Sequence, residues 1–500
     1  MIDNLASLAN GFLVALTMKH ILLMVIGVAL GLVVGVLPGL GAPNGVGLLL
    51  PLTFTMEPVS AIILLTSLYW GALIGGSTTS ILFNIPGEPS SVATTFDGYP
   101  MAKAGEATKA LTFAFLSSGF GALFGVVIVT LLAGQVARFA LLFSPVEYFS
   151  VFILAFASFI AFGGGAPLKT LLSILIGLAL ASIGMDTISG SMRLTFDVQD
   201  LVRGVSFLVV VIGLYGIAEL IETMQNPVAA KPAATSVDLP GVLRAAQQWL
   251  AYRVALLRSA LIGCWMGVAP GGPTAASFMS YGIGRRVSPR GDNFGKGEPE
   301  GLVSAETADQ AAGSSAMLPM LALGLPSSAT AAVLLGGLLM WGITPGPTLF
   351  RDNPDFVWGL IASMYISNLV AVLMALATVP LFARLMQAPF ALNGPVIALI
   401  CVVGAWTIAG SPFDLWLMMA FGAIGFVMKA LDYPLAPLVL AMVLGDRTED
   451  SFRQSMLLSG GDMTVFFTRP LAGTIMTLAL LCLLFPLVAR LFRRPTSTGA

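Results

Sequence analysis

Uncharged apolar runs recur along the chain at the length a bilayer-spanning helix needs, about 20 residues. Phe149–Phe162, Gly204–Ala218 and Leu471–Ala489 contain no Asp, Glu, Lys, Arg or His. Roughly a dozen such segments follow one another, several broken by Gly or Pro. The fold class this predicts is all-α, a polytopic membrane protein of about a dozen transmembrane segments.

Four stretches rich in Gly, Pro, Ser and Thr interrupt the apolar pattern: Leu37–Gly47, Gly75–Thr95, Val268–Ser280 and Gly313–Thr330. Gly and Pro break helices, and broken backbone persists at membrane depth only where protein buries it or where it lines a watery cavity. These stretches predict broken, re-entrant helical hairpins whose N-terminal N–H groups face a cavity, a ready anion site. Hydroxyls gather at the same points. A carboxylate is held there without a buried arginine, and neutral donors leave it free to depart. The candidate substrate-binding residues are Gly39, Asn44, Ser77, Thr78, Pro89, Ser90 and Ser91, with Gly271, Thr274, Ser314, Ser315, Pro326, Ser327 and Ser328. The competing explanation for any one of these small residues is close helix packing. Packing alone does not ask for Pro followed by two hydroxyls at matching places.

Those matching places reveal an internal repeat. Gly35–Gly41 answers to Gly267–Gly272, Gly76-Ser77 to Gly313-Ser314, and Pro89-Ser90-Ser91 to Pro326-Ser327-Ser328, the last two pairs 237 positions apart. Two homologous halves are therefore expected at 20–225 and 253–490, joined by a polar linker at 226–252 that holds Pro227, Lys231, Pro232 and Pro240. Duplication is a common build for secondary transporters. Arg253, Arg258, Arg285, Arg286 and Arg290 flank the second Pro-Gly element, whereas Lys19 and Glu57 flank the first. Read by the positive-inside rule, this favours inverted repeats, with Arg490, Arg493 and Arg494 placing the C-terminus in the cytoplasm. By analogy, the hairpin-bearing part moves against a scaffold of helices at 109–222 and 356–490.

Composition agrees with the membrane reading: of 500 residues 57% are apolar and only 10% charged, against about 25% charged in a soluble domain. Net charge is −1 and the basic residues form no stripe, so no nucleic acid is expected. Cys264, Cys401 and Cys482 sit far apart, and the single histidine, His20, lies beside Lys19 as an interfacial residue. No nucleophile–base set, metal-ligand cluster or phosphate-binding loop appears, which disfavours an ATP-driven pump and a metal-dependent membrane enzyme, and no enzyme is expected. The N-terminus lacks the pattern of a cleaved signal peptide. Intramembrane acids are functional by default. Glu306 and Asp309, three residues apart and on one helical face, are candidates for a coupling cation, unless they belong to the water-exposed segment that begins at Lys296. Glu88 either marks substrate or cation preference or tips a solvent-facing hairpin. Asp97, Lys103, Glu106 and Lys109 read as an ordinary polar connection.

Several stretches resemble the large membrane subunit of tripartite tricarboxylate transporters, the TctA family. They are residues 35–41, 49–54, 68–77, 84–91 and 97–105 in the first half and 323–336 and 344–347 in the second, within a similarity spanning most of 20–490. Among them the Asp97-Gly98-Tyr99-Pro100-Met101 piece is quite specific. The resemblance implies a multi-pass protein of the bacterial inner membrane working with a small membrane subunit and a periplasmic solute-binding protein. It implies import of a tricarboxylate or related carboxylate, driven by Na+ or H+ as coupling ion, with no other cofactor. The family usually carries two Asn residues where this chain has Asp309 and Gln310, which bears on the ligand set. Alternatives are another class of tripartite carboxylate carrier, a passive channel, or a purely structural subunit that leaves the duplicated hairpins without a purpose.

Overall fold

A computed structural model describes residues 2–37, 40–162, 166–186, 190–225, 239–268, 272–346, 348–385, 395, 398–399, 401–403, 405–406 and 411–492. Apart from a two-residue antiparallel ribbon, Gly184–Met185 (β1) with Met192–Arg193 (β2), the regular elements among them are helical. Five apolar helical runs are long enough to cross a membrane: Met18–Val36, Pro58–Phe83, Pro89–Phe139, Pro354–Thr378 and Pro412–Ala430. Shorter apolar helices accompany them. The protein is thus an all-α, multi-pass membrane protein, although the described residues hold fewer full-length spans than the dozen expected.

Helix α1 (Ile2–Ala15) leads to α2 (Met18–Val36), which starts where the Thr17 hydroxyl accepts the His20 amide. A short α3 (Gly41–Leu49) opens at a glycine with φ of 57° and precedes α4 (Pro58–Phe83). Proline fits the first turn of α4, where its missing N–H loses nothing. At about 1.5 Å per residue the 26 residues of α4 suffice to cross a bilayer. It stops at Asn84 in the left-handed region, φ 58°. A turn over Pro89–Ser91 then sends the chain into α5 (Val92–Met101), and a kink at Gly105, φ 87°, separates this from the 34-residue α6 (Ala107–Ala140). Next come α7 (Pro145–Phe162), α8 (Pro167–Ala181), and α9 (Phe207–Val211), which joins α10 (Ala218–Gln225) through one wide turn.

Beyond these, α11 (Leu239–Trp249) carries Val242, Ala245 and Trp249 at three- and four-residue spacing. Residues 226–238 of the expected linker lie outside the described residues, and its remainder forms this helix. Trp249 packs on Phe120, and its Nε1–H donates to the Ser117 hydroxyl at 2.9 Å. Then follow α12 (Arg253–Val268), α13 (Gly272–Val287), α14 (Pro299–Ser315), α15 (Met317–Leu323) and α16 (Ala329–Met340). The chain continues through α17 (Leu349–Asp352), α18 (Pro354–Leu385), α19 (Pro412–Ala430), α20 (Leu435–Leu458), α21 (Val465–Thr468) and α22 (Pro470–Phe492).

Two compact units emerge, residues 1–140 with 208–426 and residues 141–207 with 427–500, each drawing on both sequence halves. In the first, α2 lies on α4 where Gly27, Gly31 and Gly35 recur every fourth residue; a Cβ on Gly31 would run into the Leu68 carbonyl. Small residues let these backbones close in, which is how apolar helices gain contact in lipid. The same device surrounds α14. Gly121 and Gly125 of α6 face Thr307 and Ala311, while Gly263 and Gly267 of α12 face Ala308 and Ala312. Every residue of α14 from Glu300 to Ser315 is buried. Helices α6 and α18 pack on α14 and α4 in this first unit, so they do not belong to a separate scaffold as the sequence analogy grouped them. In the second unit α7 packs on α22 and α20 on α8, and Asp186 pairs with Arg193 at 2.5 Å and Arg453 at 3.1 Å.

Candidate functional site

The first unit is organised around α14, a polar helix with partners on several sides. Glu306 sits on its third turn and is fully buried. Its carboxylate accepts three hydroxyl donors: Ser77 of α4 and Ser118 of α6 at 2.8 Å each, and Thr94 of α5 at 2.5 Å. Helices from three directions are thus pinned to one side chain. The segment is therefore not the water-exposed continuation of Lys296 that the sequence left open.

One helical turn further on the picture reverses. Asp309 is also buried, yet its carboxylate meets only the Ser90 hydroxyl, which comes close without a well-formed hydrogen bond. Beside it stand the buried Tyr69 and Ser90 hydroxyls, and both amide atoms of Gln310 on the same helix lack partners, whereas the unpaired Thr307 and Ser314 hydroxyls lie on the opposite face, toward Gly121 and Gly125 of α6. Asp309 is electrostatically coupled to Glu306, Glu88 and Tyr69, and the Tyr69 hydroxyl adjoins Ser328. A Cβ on Gly313 would lie 3.3 Å from that hydroxyl. Most buried polar groups in proteins are paired, because leaving one unpaired costs about 1–3 kcal/mol. An acid buried at membrane depth with so little pairing is a candidate functional group.

Both hairpin turns converge here. In the first, Ser91 is consumed by structure: its hydroxyl donates to the Glu88 carbonyl and accepts the Glu88 amide and the Ser80 hydroxyl. Ser90, one residue earlier, is buried and lies beside the Asp309 carboxylate. Glu88 is buried, and its carboxylate accepts the Ala42 N–H at the start of α3. It is neither a solvent-facing tip nor a loose charge; it fills the anion position at that helix start. In the second hairpin α15 ends on Gly324, φ 69°, and Ser328 caps α16 by accepting the Ala331 N–H at 3.2 Å. Ser327 is buried with an unpaired hydroxyl. Gly272, φ 60°, opens α13 in contact with Ser327 and Ser328, much as Gly41 opens α3 against Glu88. Leu325 takes the place in this hairpin that Glu88 takes in the first, so no carboxylate side chain comes with it. The turn Pro89–Ser91 also contacts α13, and α16 contacts α3, so the hairpins interlock crosswise.

The profile of the Tripartite tricarboxylate transporter TctA family matches residues 21–440. The chain belongs to the TctA family. This is a family of transporters and not of enzymes. An uncharacterized 52.8 kDa protein in the TAR-I ttuC' 3' region of Agrobacterium vitis is 36% identical over 495 residues, 98% of this chain and 97% of that protein. An uncharacterized protein in the TAR-II ttuC' 3' region of the same organism is 36% identical over 227 residues, 45% of this chain and 94% of that protein. No solved structure matches.

Within this TctA-family chain the predicted residues divide. Gly39 and Gly271 lie outside the described residues. Ser77, Ser90, Glu306 and Asp309 lie in the buried polar centre, Thr78 is buried, Ser314 faces Gly125 of α6, and Ser315 donates to the Ala311 carbonyl at 2.7 Å on the side of Gly267. Asn44 and Pro326 are buried, Thr274 is half-buried in the first turn of α13, and Pro89 is exposed. Sequence reasoning missed Tyr69, Thr94 and Ser118, which occupy helices with no distinguishing motif around them. It also took Asp97 for part of an ordinary connection. Asp97 is fully buried: Oδ1 accepts the N–H groups of Gly295, Gly297 and Glu298 at 2.8–2.9 Å, and Oδ2 accepts the Tyr281 hydroxyl at 2.9 Å. It fastens α5 to the segment leading into α14. His20 is buried, its ring set between the Val14 carbonyl and the Thr17 and Ser60 hydroxyls. Beside it, Lys19 bonds Glu57 at 2.6 Å and holds that carboxyl below its usual range.

Proposed function

We propose that this chain is the substrate-translocating subunit of a binding-protein-dependent secondary transporter. It imports a tricarboxylate or related carboxylate across the bacterial inner membrane by symport with a cation. A small membrane subunit and a periplasmic solute-binding protein are the partners this reading requires. Inverted repeats suit it, and the two matched helix starts support them: Gly41 with the first hairpin and Gly272 with the second.

The observation that carries the reading is the contrast between those helix starts. A carboxylate, that of Glu88, already rests on the N–H of Ala42 at the start of α3. At the start of α13 the neighbouring hairpin offers Leu325 in its place and the unpaired Ser327 hydroxyl beside it. A helix N-terminus presents free N–H groups and partial positive charge, so a substrate carboxylate completes what Glu88 completes on the other side. Ser90, Tyr69 and the amide of Gln310 supply further neutral donors. None is a fixed cation, so the substrate is held without being trapped.

The test is the double variant Ser90→Ala, Ser327→Ala. Ser327 makes no hydrogen bond in the protein and Ser90 only approaches Asp309, so little internal pairing is lost and membrane abundance stays normal. Uptake by the reconstituted tripartite system is expected to fall at least tenfold. Undiminished uptake at normal abundance refutes the hairpin site.

A further inference from the structure

We propose that Asp309 is the proton-carrying group of this transporter, alternately protonated and ionised as substrate passes, with Glu306 a fixed structural acceptor. The proposal rests on the symport reading above and assigns its coupling ion. It starts from a local imbalance of charge. Three carboxyl groups, Glu88, Glu306 and Asp309, are coupled within one buried region. The groups facing Asp309 from the surrounding elements are Glu306 on its own helix, Glu88 on the first hairpin and Tyr69 on α4. No lysine or arginine is among them. The basic residues paired with this helix are committed at its start: Arg258 of α12 to Glu300 at 3.3 Å and Ser304 at 3.1 Å, and Arg290 to Glu300 at 3.7 Å. Glu300 lies nine positions before Asp309, roughly 13 Å along the helix.

Buried charge without a counter-charge is too costly to persist, so a carboxyl in such a place takes a proton or a bound cation. The three acids differ in what stabilises their negative form. Glu306 has three hydroxyl donors and Glu88 has a backbone N–H at a helix start. Asp309 has only the nearby Ser90 hydroxyl, with no well-formed hydrogen bond on either oxygen. Of the three it is the group whose ionised form is least supported, and the one that lies beside the unpaired Ser90 and Tyr69 hydroxyls where substrate enters. A substrate carboxylate arriving there meets one charge fewer if Asp309 is neutral. Proton and substrate therefore favour each other's binding, and linkage makes the effect mutual. The step is an association and dissociation of H+ on one carboxylate oxygen, with no other reactant. A sodium site is the competing outcome. It would set the ion among the ionised Asp309 oxygens and neighbouring hydroxyls, where sodium competes with H+ for the carboxylate and protects it from labelling.

Labelling tests this without any transport assay. Membranes bearing the full chain are treated with dicyclohexylcarbodiimide, which attacks protonated carboxyls in apolar surroundings, and the modified peptide is read by mass spectrometry. Asp309 is expected to be labelled in acid and spared in alkali, with no protection by sodium, and the adduct is absent from Asp309→Asn. Protection by sodium at constant pH, or no adduct on Asp309 at any pH, overturns the proposal. In proteoliposomes with both partners, Asp309→Asn should lose accumulation driven by a proton gradient. Accumulation unchanged in Asp309→Asn sinks the proton site alone. Failure of the wild type to move any carboxylate sinks the symport reading on which it rests.

Discussion

Glu306 makes a quantitative prediction because its contacts are few and well defined. Replacing it with alanine strands the hydroxyls of Ser77, Thr94 and Ser118 in the interior of the first unit. Each stranded donor costs about 1–3 kcal/mol. The total is less than three times that, since Ser77 has a fallback at 3.4 Å in the Leu73 carbonyl. Helical Ser and Thr can likewise turn back to the carbonyl four residues earlier. Adding the vacated volume, Glu306→Ala should lose about 3–4 kcal/mol. Glu306→Gln keeps the shape and one acceptor oxygen, and a hydroxyl can rotate to accept from its amide, so about 1 kcal/mol is expected. Thermal unfolding of the purified chain in detergent ranks the three proteins. Equal melting of both variants with the wild type would refute the claim that this carboxylate holds α4, α5 and α6 together.

The other predictions concern the clamp and the packing. Asp97→Ala leaves three backbone N–H groups and a tyrosine hydroxyl unpaired and should cost about 3–5 kcal/mol, with Asp97→Asn near 1 kcal/mol, read as melting temperature and as protease cutting between residues 291 and 298. Gly31→Ala and Gly121→Ala push a methyl into the carbonyls of Leu68 and Thr307 and should abolish a monodisperse peak in size-exclusion chromatography. Gly282→Ala meets no atom within 4 Å in its helix and should raise stability by up to about 1 kcal/mol.

How much of this was legible beforehand follows from what a one-dimensional pattern contains. Long uncharged runs announce helices in a membrane because each residue there faces lipid or apolar protein. Paired Gly-Pro-Ser-Ser turns announced the hairpins, and Asn84 and Gly324 in the left-handed region now show how the helices entering them end. Glu306 and Asp309 stood out because acids are rare in such company, but their burial depended on α6, α12 and α13 closing around α14. That closure is tertiary, and the glycines that permit it look like any other small residues. For the same reason Thr94 and Ser118 carried no signal: a hydroxyl becomes a donor to Glu306 only once three helices meet. Glu88 was noticed for its charge, but its docking on Ala42, 46 positions away, is invisible to local pattern. Asp97 misled because a run of alternating charges usually lies in water, and only the fold turns one of them inward.

Carboxylate uptake tests the central claim most directly. The chain is reconstituted in proteoliposomes with its small membrane partner, and labelled citrate and related carboxylates are supplied with or without the solute-binding protein and a cation gradient. The account predicts accumulation of at least one carboxylate that requires both the binding protein and an inward gradient. Equilibration without either contradicts it and makes the chain a passive channel.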